Sequence, residues 1–173
     1  MEWTGARYAD KPTVEVEMFI DAPPERVWQL VSDVTLMPSM SSELQRVEWQ
    51  DGATGPRVGA RFVGHSEHRA RGEWQTTSQV VECEAPKVFA WVVEDPDDPT
   101  ATWRFTLEPR DGGTTVRQWV RMGPGRSGLS EAIDRMPDKE QKIVYSRLRE
   151  FETNMSATLA QIKERAETRT AQG

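Results

Sequence analysis

The sequence is poor in the residues that most often mark chemistry. It holds one cysteine, two histidines and two tyrosines in 173 residues. The lone Cys83 excludes an internal disulfide and any cysteine-based metal cluster. It fits a reducing, cytoplasmic setting. No run approaches the roughly 18 apolar residues that a membrane-crossing helix needs. Met1 to Arg7 lack a basic start followed by an apolar run, so no signal peptide is read. No Lys/Arg cluster stands out, and 22 basic against 28 acidic residues leave a net charge of −6. Such a chain lacks the means to hold nucleic acid through its phosphates. No Ser-His-Asp, Cys-His or paired-carboxylate arrangement can be assembled, so the residues leave open whether the protein is an enzyme.

What is present is a globular composition. Hydrophobic residues make up 36% and charged residues 29%, which is polar but not the makeup of a disordered chain. The aromatic set is skewed, with seven Trp and five Phe. A chain of this length buries roughly 70% of its unfolded surface as one domain and needs no disulfide or metal staple.

Residues 1–12 read as a flexible N-terminal arm, 13–168 as one domain and 169–173 as a disordered tail. Thr13 to Ile20 alternates, with Val14, Val16, Met18 and Ile20 on one face of a half-buried strand. Pro23, Pro24 and Glu25 are helix-start signals for a short amphipathic helix carrying Val27, Trp28, Leu30 and Val31. Asp33 to Ser42 reads as a second short helix or turn, broken by Pro38. Strand patterns follow at 44–49, 61–68, 72–84, 88–95, 100–109 and 114–122, separated by turn chemistry such as Arg110-Asp111-Gly112-Gly113. Short breaks between successive strands imply an antiparallel meander. From about Asp138, Val144, Leu148, Phe151, Met155, Leu159, Ile162 and Ala166 recur at steps of three and four. They form one stripe on a long helix. The concave face of a six- or seven-stranded sheet is the surface available to cover it.

This order resembles the START-like superfamily, also called SRPBCC or helix-grip. Ile20-Asp21-Ala22-Pro23-Pro24-Glu25-Arg26-Val27-Trp28 is similar to that family's first strand-to-helix junction. Val47-Glu48-Trp49, Gly59-Ala60-Arg61-Phe62 and Trp74-Gln75-Thr76-Thr77-Ser78 resemble its second to fourth strands. Asn154-Met155-Ser156-Ala157-Thr158-Leu159 with Ile162-Lys163 resembles the last helix of the bacterial polyketide cyclase/dehydrase subgroup. The resemblance implies an α+β fold: a curved antiparallel sheet wrapped around a long C-terminal helix, with two short helices after strand 1. It also implies a deep cavity between sheet and helix. Members bind lipids, sterols, polyketides and other apolar molecules there, and a minority catalyse reactions.

Strand alternation reaches the same cavity from the residues. Phe62, Gly64 and Ser66 share a face, as do Trp74, Thr76, Ser78 and Val80. So do Phe89, Trp91 and Val93, then Trp103, Phe105 and Leu107, then Val116, Gln118, Val120 and Met122. Turned inward, these faces give an aromatic interior with a few polar groups, the makeup of a small-molecule site. The candidate ligand-binding residues are Phe62, Trp74, Thr76, Ser78, Phe89, Trp91, Trp103, Phe105, Gln118 and Met122, with Phe151 and Met155 from the helix. Each is also a plausible core residue. Buried Thr76, Ser78 and Gln118 need hydrogen-bond partners, supplied by each other, by water or by a ligand.

Other motifs read more plainly as structure. His65 and His68 are three apart on a strand and point to opposite faces, so they do not chelate one ion, and His68 is the nearer to the cavity mouth. No metal and no cofactor are expected. Gly123-Pro124-Gly125-Arg126-Ser127-Gly128 matches Gly-x-Gly-x-x-Gly, but it ends an antiparallel meander where a dinucleotide site needs a parallel βαβ unit. Its glycines, followed by Leu129, Ala132, Ile133 and Met136, are expected to form a mobile lid at the pocket entrance. Asp95, Asp97 and Asp98 read as a solvated turn, and Cys83 as a packing or inert exposed thiol. Trp119 shares the outer face with Arg117 and Arg121, as a Trp–Arg stack or as a contact in a possible homodimer. Tyr145, near Arg147 and Arg149, sits on the flank of the long helix or orients a ligand carbonyl.

The expected function is binding of a hydrophobic small molecule, as a carrier or sensor. The resemblance adds two alternatives: a polyketide aromatase/cyclase or dehydrase in which Tyr145, Gln118 or a rim arginine steers enolisation, and a lipid- or quinone-handling partner protein.

Overall fold

In a computed structural model of the chain, residues 1–170 are described. The first strand, β1 (Thr13–Ile20), leads to α1 (Pro24–Val31) and a 3₁₀ turn (Val34–Met40) that carries Pro38 inside it. Six strands follow: β2 (Leu44–Trp49), β3 (Arg61–His68), β4 (Gly72–Glu84), β5 (Val88–Val93), β6 (Ala101–Arg110) and β7 (Gly113–Met122). Then come α2 (Gly128–Arg135), a 3₁₀ turn (Pro137–Lys139) and α3 (Glu140–Thr170). The helix runs into the expected tail, and residues 171–173 lie outside the described residues. The sheet order is β1-β7-β6-β5-β4-β3-β2, with every neighbouring pair antiparallel. The fold is therefore an α+β helix grip, with seven strands around one long helix.

Local chemistry explains the joints. Pro24 occupies the first turn of α1, where its missing N–H costs nothing. Asp111 and Gly112 both take positive φ (47° and 80°) in the two-residue turn between β6 and β7. That turn twists with the strands it joins. The pairing of β4 with β5 shifts register between Val80 and Glu82. This bulge keeps Val80 inward and also returns Cys83 to the core face, opposite Phe89.

The stripe of α3 is the spine of the core. Val144, Leu148, Met155, Leu159, Ile162 and Ala166 are buried, and Phe151 is half-buried. The upper part packs with Val14, Val120 and Met122. The lower part packs with Ile20, Val27, Val31, Phe89, Leu107 and Val116. Where α3 leaves β1, Arg26 Nε donates to Ala166 O at 2.6 Å and the Asp21 N–H donates to Glu167 at 2.9 Å.

The N-terminal arm lies against α3. Trp3 packs edge-on against Tyr145 at 5.0 Å, and Gln141 donates to Gly5 O at 2.8 Å. Arg7 and the Tyr8 N–H both reach Glu140, at 3.0 and 3.1 Å. These contacts tie residues that had read as a loose arm.

Candidate functional site

Between the concave sheet and α3 lies an open-mouthed cavity of about 880 Å³. Eleven of the twelve candidate residues line it. Phe62 comes from β3, and Trp74, Thr76 and Ser78 from β4. Trp91 comes from β5, Trp103 and Phe105 from β6, Gln118 and Met122 from β7, and Phe151 and Met155 from α3. Phe89 does not line it. The ring is fully buried at the closed end, 6.1 Å from Trp28 on α1 and 5.5 Å from Trp91. The alternation placed its side chain on the inner face correctly, but α1 covers that part of the face.

The deep wall is aromatic and flat. Trp91 and Trp103 stack across β5 and β6 with centroids 6.3 Å apart and planes 13° apart. Phe151 meets Trp103 edge-on at 5.3 Å, so the helix fixes the second indole. Three polar residues interrupt this wall, and none of Thr76, Ser78 or Gln118 makes a side-chain hydrogen bond among the described residues. Gln118 is 6% exposed, and its Oε1 is buried without a partner. A buried acceptor in that state costs about 1–3 kcal/mol. Ser78 is 4% exposed and stands three strands away, in the row of Val93, Ala101 and Met122, four residues along β7 from Gln118. The cavity thus offers a flat apolar slot with hydrogen-bonding groups at both sides.

The mouth is ionic, and most of it escaped the sequence reading. Arg147 on α3 donates to both oxygens of Glu43, at 2.6 and 2.9 Å, and to Glu150 at 2.6 Å. Burial disfavours the Arg147 charge, but bonds and attraction from Glu43 and Glu150 outweigh it and raise its pKa. Asn154 Nδ2 reaches Glu43 at 3.5 Å. Arg147, Glu150, Asn154 and Thr158 all line the cavity. They sit beside the apolar stripe, where a periodicity reading assigns polar residues to solvent. Their one signal was spacing: Arg147, Glu150, Asn154 and Thr158 recur at three and four and share a helix face.

His68 lines the mouth and His65 lies on the outer face, where Arg46 meets it at 3.1 Å, as alternation requires. His68 Nδ1 accepts from the Ala70 N–H at 3.1 Å, and Nε2 faces Glu150 at 3.3 Å. Both ring nitrogens are therefore committed to the protein. Ligand atoms of Glu43, His68 and Glu150 lie within 4.8 Å of one another, but the Arg147 guanidinium already bridges both carboxylates. A cation there would have to displace it.

The segment after β7 differs from the expectation of a glycine hinge. The Gly123 N–H donates to Thr100 O and the Gly125 N–H to Pro99 O, both at 2.8 Å. The Tyr8 hydroxyl donates to Gly125 O. A Cβ on Gly125 would stand 2.1 Å from Asp98 O. These glycines permit close backbone approach and pin the segment. The apolar side of α2 does border the entrance through Leu129 and Ala132, with Met136 just beyond its end, while Ile133 packs into the core instead. Tyr145 is not at the cavity: its hydroxyl donates to Met1 O at 3.0 Å. On the outer sheet Trp119 takes Arg104, from the paired position on β6, over its ring at 5.6 Å.

A curved sheet gripping a long helix over a lined cavity defines a START-like fold of the hydrophobic-ligand-binding type. The chain belongs to the family described as polyketide cyclase / dehydrase and lipid transport, whose model matches residues 11–167. Among solved structures it is similar to the Polyketide_cyc-like protein Cgl2372 from Corynebacterium glutamicum. Identity to it is 30% over 91% of this chain and 93% of that one, with a TM-score of 0.66. It also resembles the di-domain ARO/CYC StfQ of the steffimycin biosynthetic pathway, at 15% identity and TM-score 0.72 over 92% of this chain. The di-domain ARO/CYC BexL of the BE-7585A pathway matches at 17% identity and TM-score 0.67 over 90%. The chain spans about half of each di-domain protein, 51% and 50%. Among curated proteins none matches the sequence. No helix among the described residues is long and apolar enough to cross a membrane.

Proposed function

We propose that the protein binds a flat, largely apolar small molecule in this cavity, as a carrier or sensor. The observation that carries the reading is the unpaired Gln118 amide beside the stacked Trp91–Trp103 wall of an 880 Å³ cavity. Small-molecule sites combine apolar walls with a few polar groups that fix orientation. Native mass spectrometry of protein purified without denaturation tests this, paired with titration of the neutral fluorescent probe N-phenyl-1-naphthylamine. A retained mass released on denaturation, or saturable probe binding lost in Trp103→Ala, is the expected result. Absence of both defeats the reading.

The second reading is an aromatase/cyclase, favoured by the two ARO/CYC structures above. In this chain its polar groups would be Gln118 and the arginines of the mouth, since Tyr145 is tied to the N-terminus and His68 uses both nitrogens on the protein. Conversion of a supplied linear poly-β-ketone to a ring product would distinguish it from binding alone.

A further inference from the structure

The charge at the cavity mouth runs against that of the chain. Five basic residues line the cavity, Arg71, Arg135, Lys139, Lys142 and Arg147, against three acidic ones, Glu43, Glu131 and Glu150. The whole chain is −6. Arg147 takes up two of the three carboxylates. Among the described residues Arg71, Arg135, Lys139 and Lys142 make no ion pair, so four cations share one opening with Glu131.

Arg71 is the organised member of this set. Its guanidinium is held 4.3 Å above the Trp74 ring, a residue that itself lines the cavity. It rests on the first turn of α2: a Cβ on Gly128 would lie 2.7 Å from Arg71 Cζ. A helix N-terminus carries partial positive charge and disfavours a cation placed there, and Glu131 in the same first turn is the acidic residue set against it. Desolvation and the nearby Arg147 both press the Arg71 pKa down, with Glu131 and Glu43 only partly offsetting them. The guanidinium is thus positioned by packing at a place where electrostatics disfavours it.

We propose that the mouth is an anion subsite centred on Arg71 and supported by Lys142. The ligand is then an amphiphile with an apolar body against Trp91 and Trp103 and a carboxylate-like head at the opening. A bidentate carboxylate matches the planar donor fork of arginine. The proposal rests on the binding reading above and adds the ligand's charge to it.

Two probes of almost the same aromatic frame separate the two claims. 1-Anilinonaphthalene-8-sulfonate is anionic, and N-phenyl-1-naphthylamine is neutral. In the full chain, Arg71→Gln with Lys142→Gln should weaken the sulfonate by about tenfold or more, the usual scale for a lost charge-assisted hydrogen bond. The neutral probe should stay within about twofold, which also reports an intact fold. Gly128→Ala, which pushes the guanidinium off its seat without removing charge, should weaken the sulfonate alone. Equal effects on both probes, or none on the sulfonate, overturn the anion subsite while leaving the cavity reading standing. Failure of both probes to bind the unaltered protein overturns the two together. Sedimentation with phosphatidylglycerol vesicles supplies the last arm. Vesicle binding that disappears in the double variant while sulfonate affinity holds would make these cations a lipid-docking surface and overturn the proposal.

Discussion

Gln118→Leu should stabilise the empty protein and blunt its ligand discrimination. The side chain stands on β7, opposite Phe105 on β6 and one row from Trp103. Its Oε1 is buried without a donor, a condition that costs about 1–3 kcal/mol. Leucine is similar in volume and needs no partner, so little repacking strain opposes the gain. A net stabilisation of about 1–2 kcal/mol follows, which for a chain of this size raises the melting temperature by roughly 2–8 °C. Binding should move the other way. An amide can meet a ligand hydroxyl as donor or acceptor, and a hydroxyl can answer either. The unaltered protein should therefore prefer 1-naphthol to naphthalene by about tenfold, and Gln118→Leu should bind the two alike. Urea unfolding and fluorescence titration read the two effects. A variant destabilised by more than about 1 kcal/mol, or one that keeps the hydroxyl preference, would refute the reasoning, because the amide would then be serving the core.

Met155→Ala should cost about 2–4 kcal/mol by urea unfolding, because Met155 is 2% exposed, whereas half-buried Phe151→Ala should fall below the ~3–5 kcal/mol of a fully enclosed phenylalanine. Probe affinity should drop in both variants, since both side chains line the cavity. Gly125→Ala should lower the melting temperature by roughly 4–12 °C through collision with the Asp98 carbonyl, and a neutral result would show that the turn can move. The Glu167 carboxyl lies below its ordinary pKa because Lys163 and the Asp21 N–H bond its charged form. A depressed carboxylate stabilises the fold fully above the unfolded-state pKa and loses that contribution as pH falls through the lower folded value. Glu167→Gln should therefore melt below the unaltered protein at pH 7 and approach it near pH 3, and a gap that widens in acid would contradict the assignment.

Much of this architecture was legible because strands and helices impose fixed periods on buried faces. Alternation in Trp74, Thr76 and Ser78 or in Trp103 and Phe105 located an inner face, and the step pattern from Val144 to Ala166 located the buried side of α3. Both depend only on backbone geometry and on apolar side chains avoiding water. The glycines were misread for the opposite reason. Freedom is what a bare glycine suggests, yet Gly125 is required by a carbonyl from the β5–β6 connection, which no local pattern can supply.

Sequence alone determined the strands, the long helix, their order and the inner faces of β1 and β3 to β7. Tertiary structure decided what those faces look onto. Phe89 and Phe105 stand opposite one another on neighbouring strands, but α1 closes over the first and leaves the second facing the cavity. Arg147, Glu43 and Arg71 stand far apart in the chain and carry no pattern that groups them, and His68 alone was placed near the mouth by alternation. They converge because the curved sheet brings the ends of β3 and β4 against the side of α3. Charge acts through distance in space, so a group of ions is a property of the folded chain and leaves no period in the sequence.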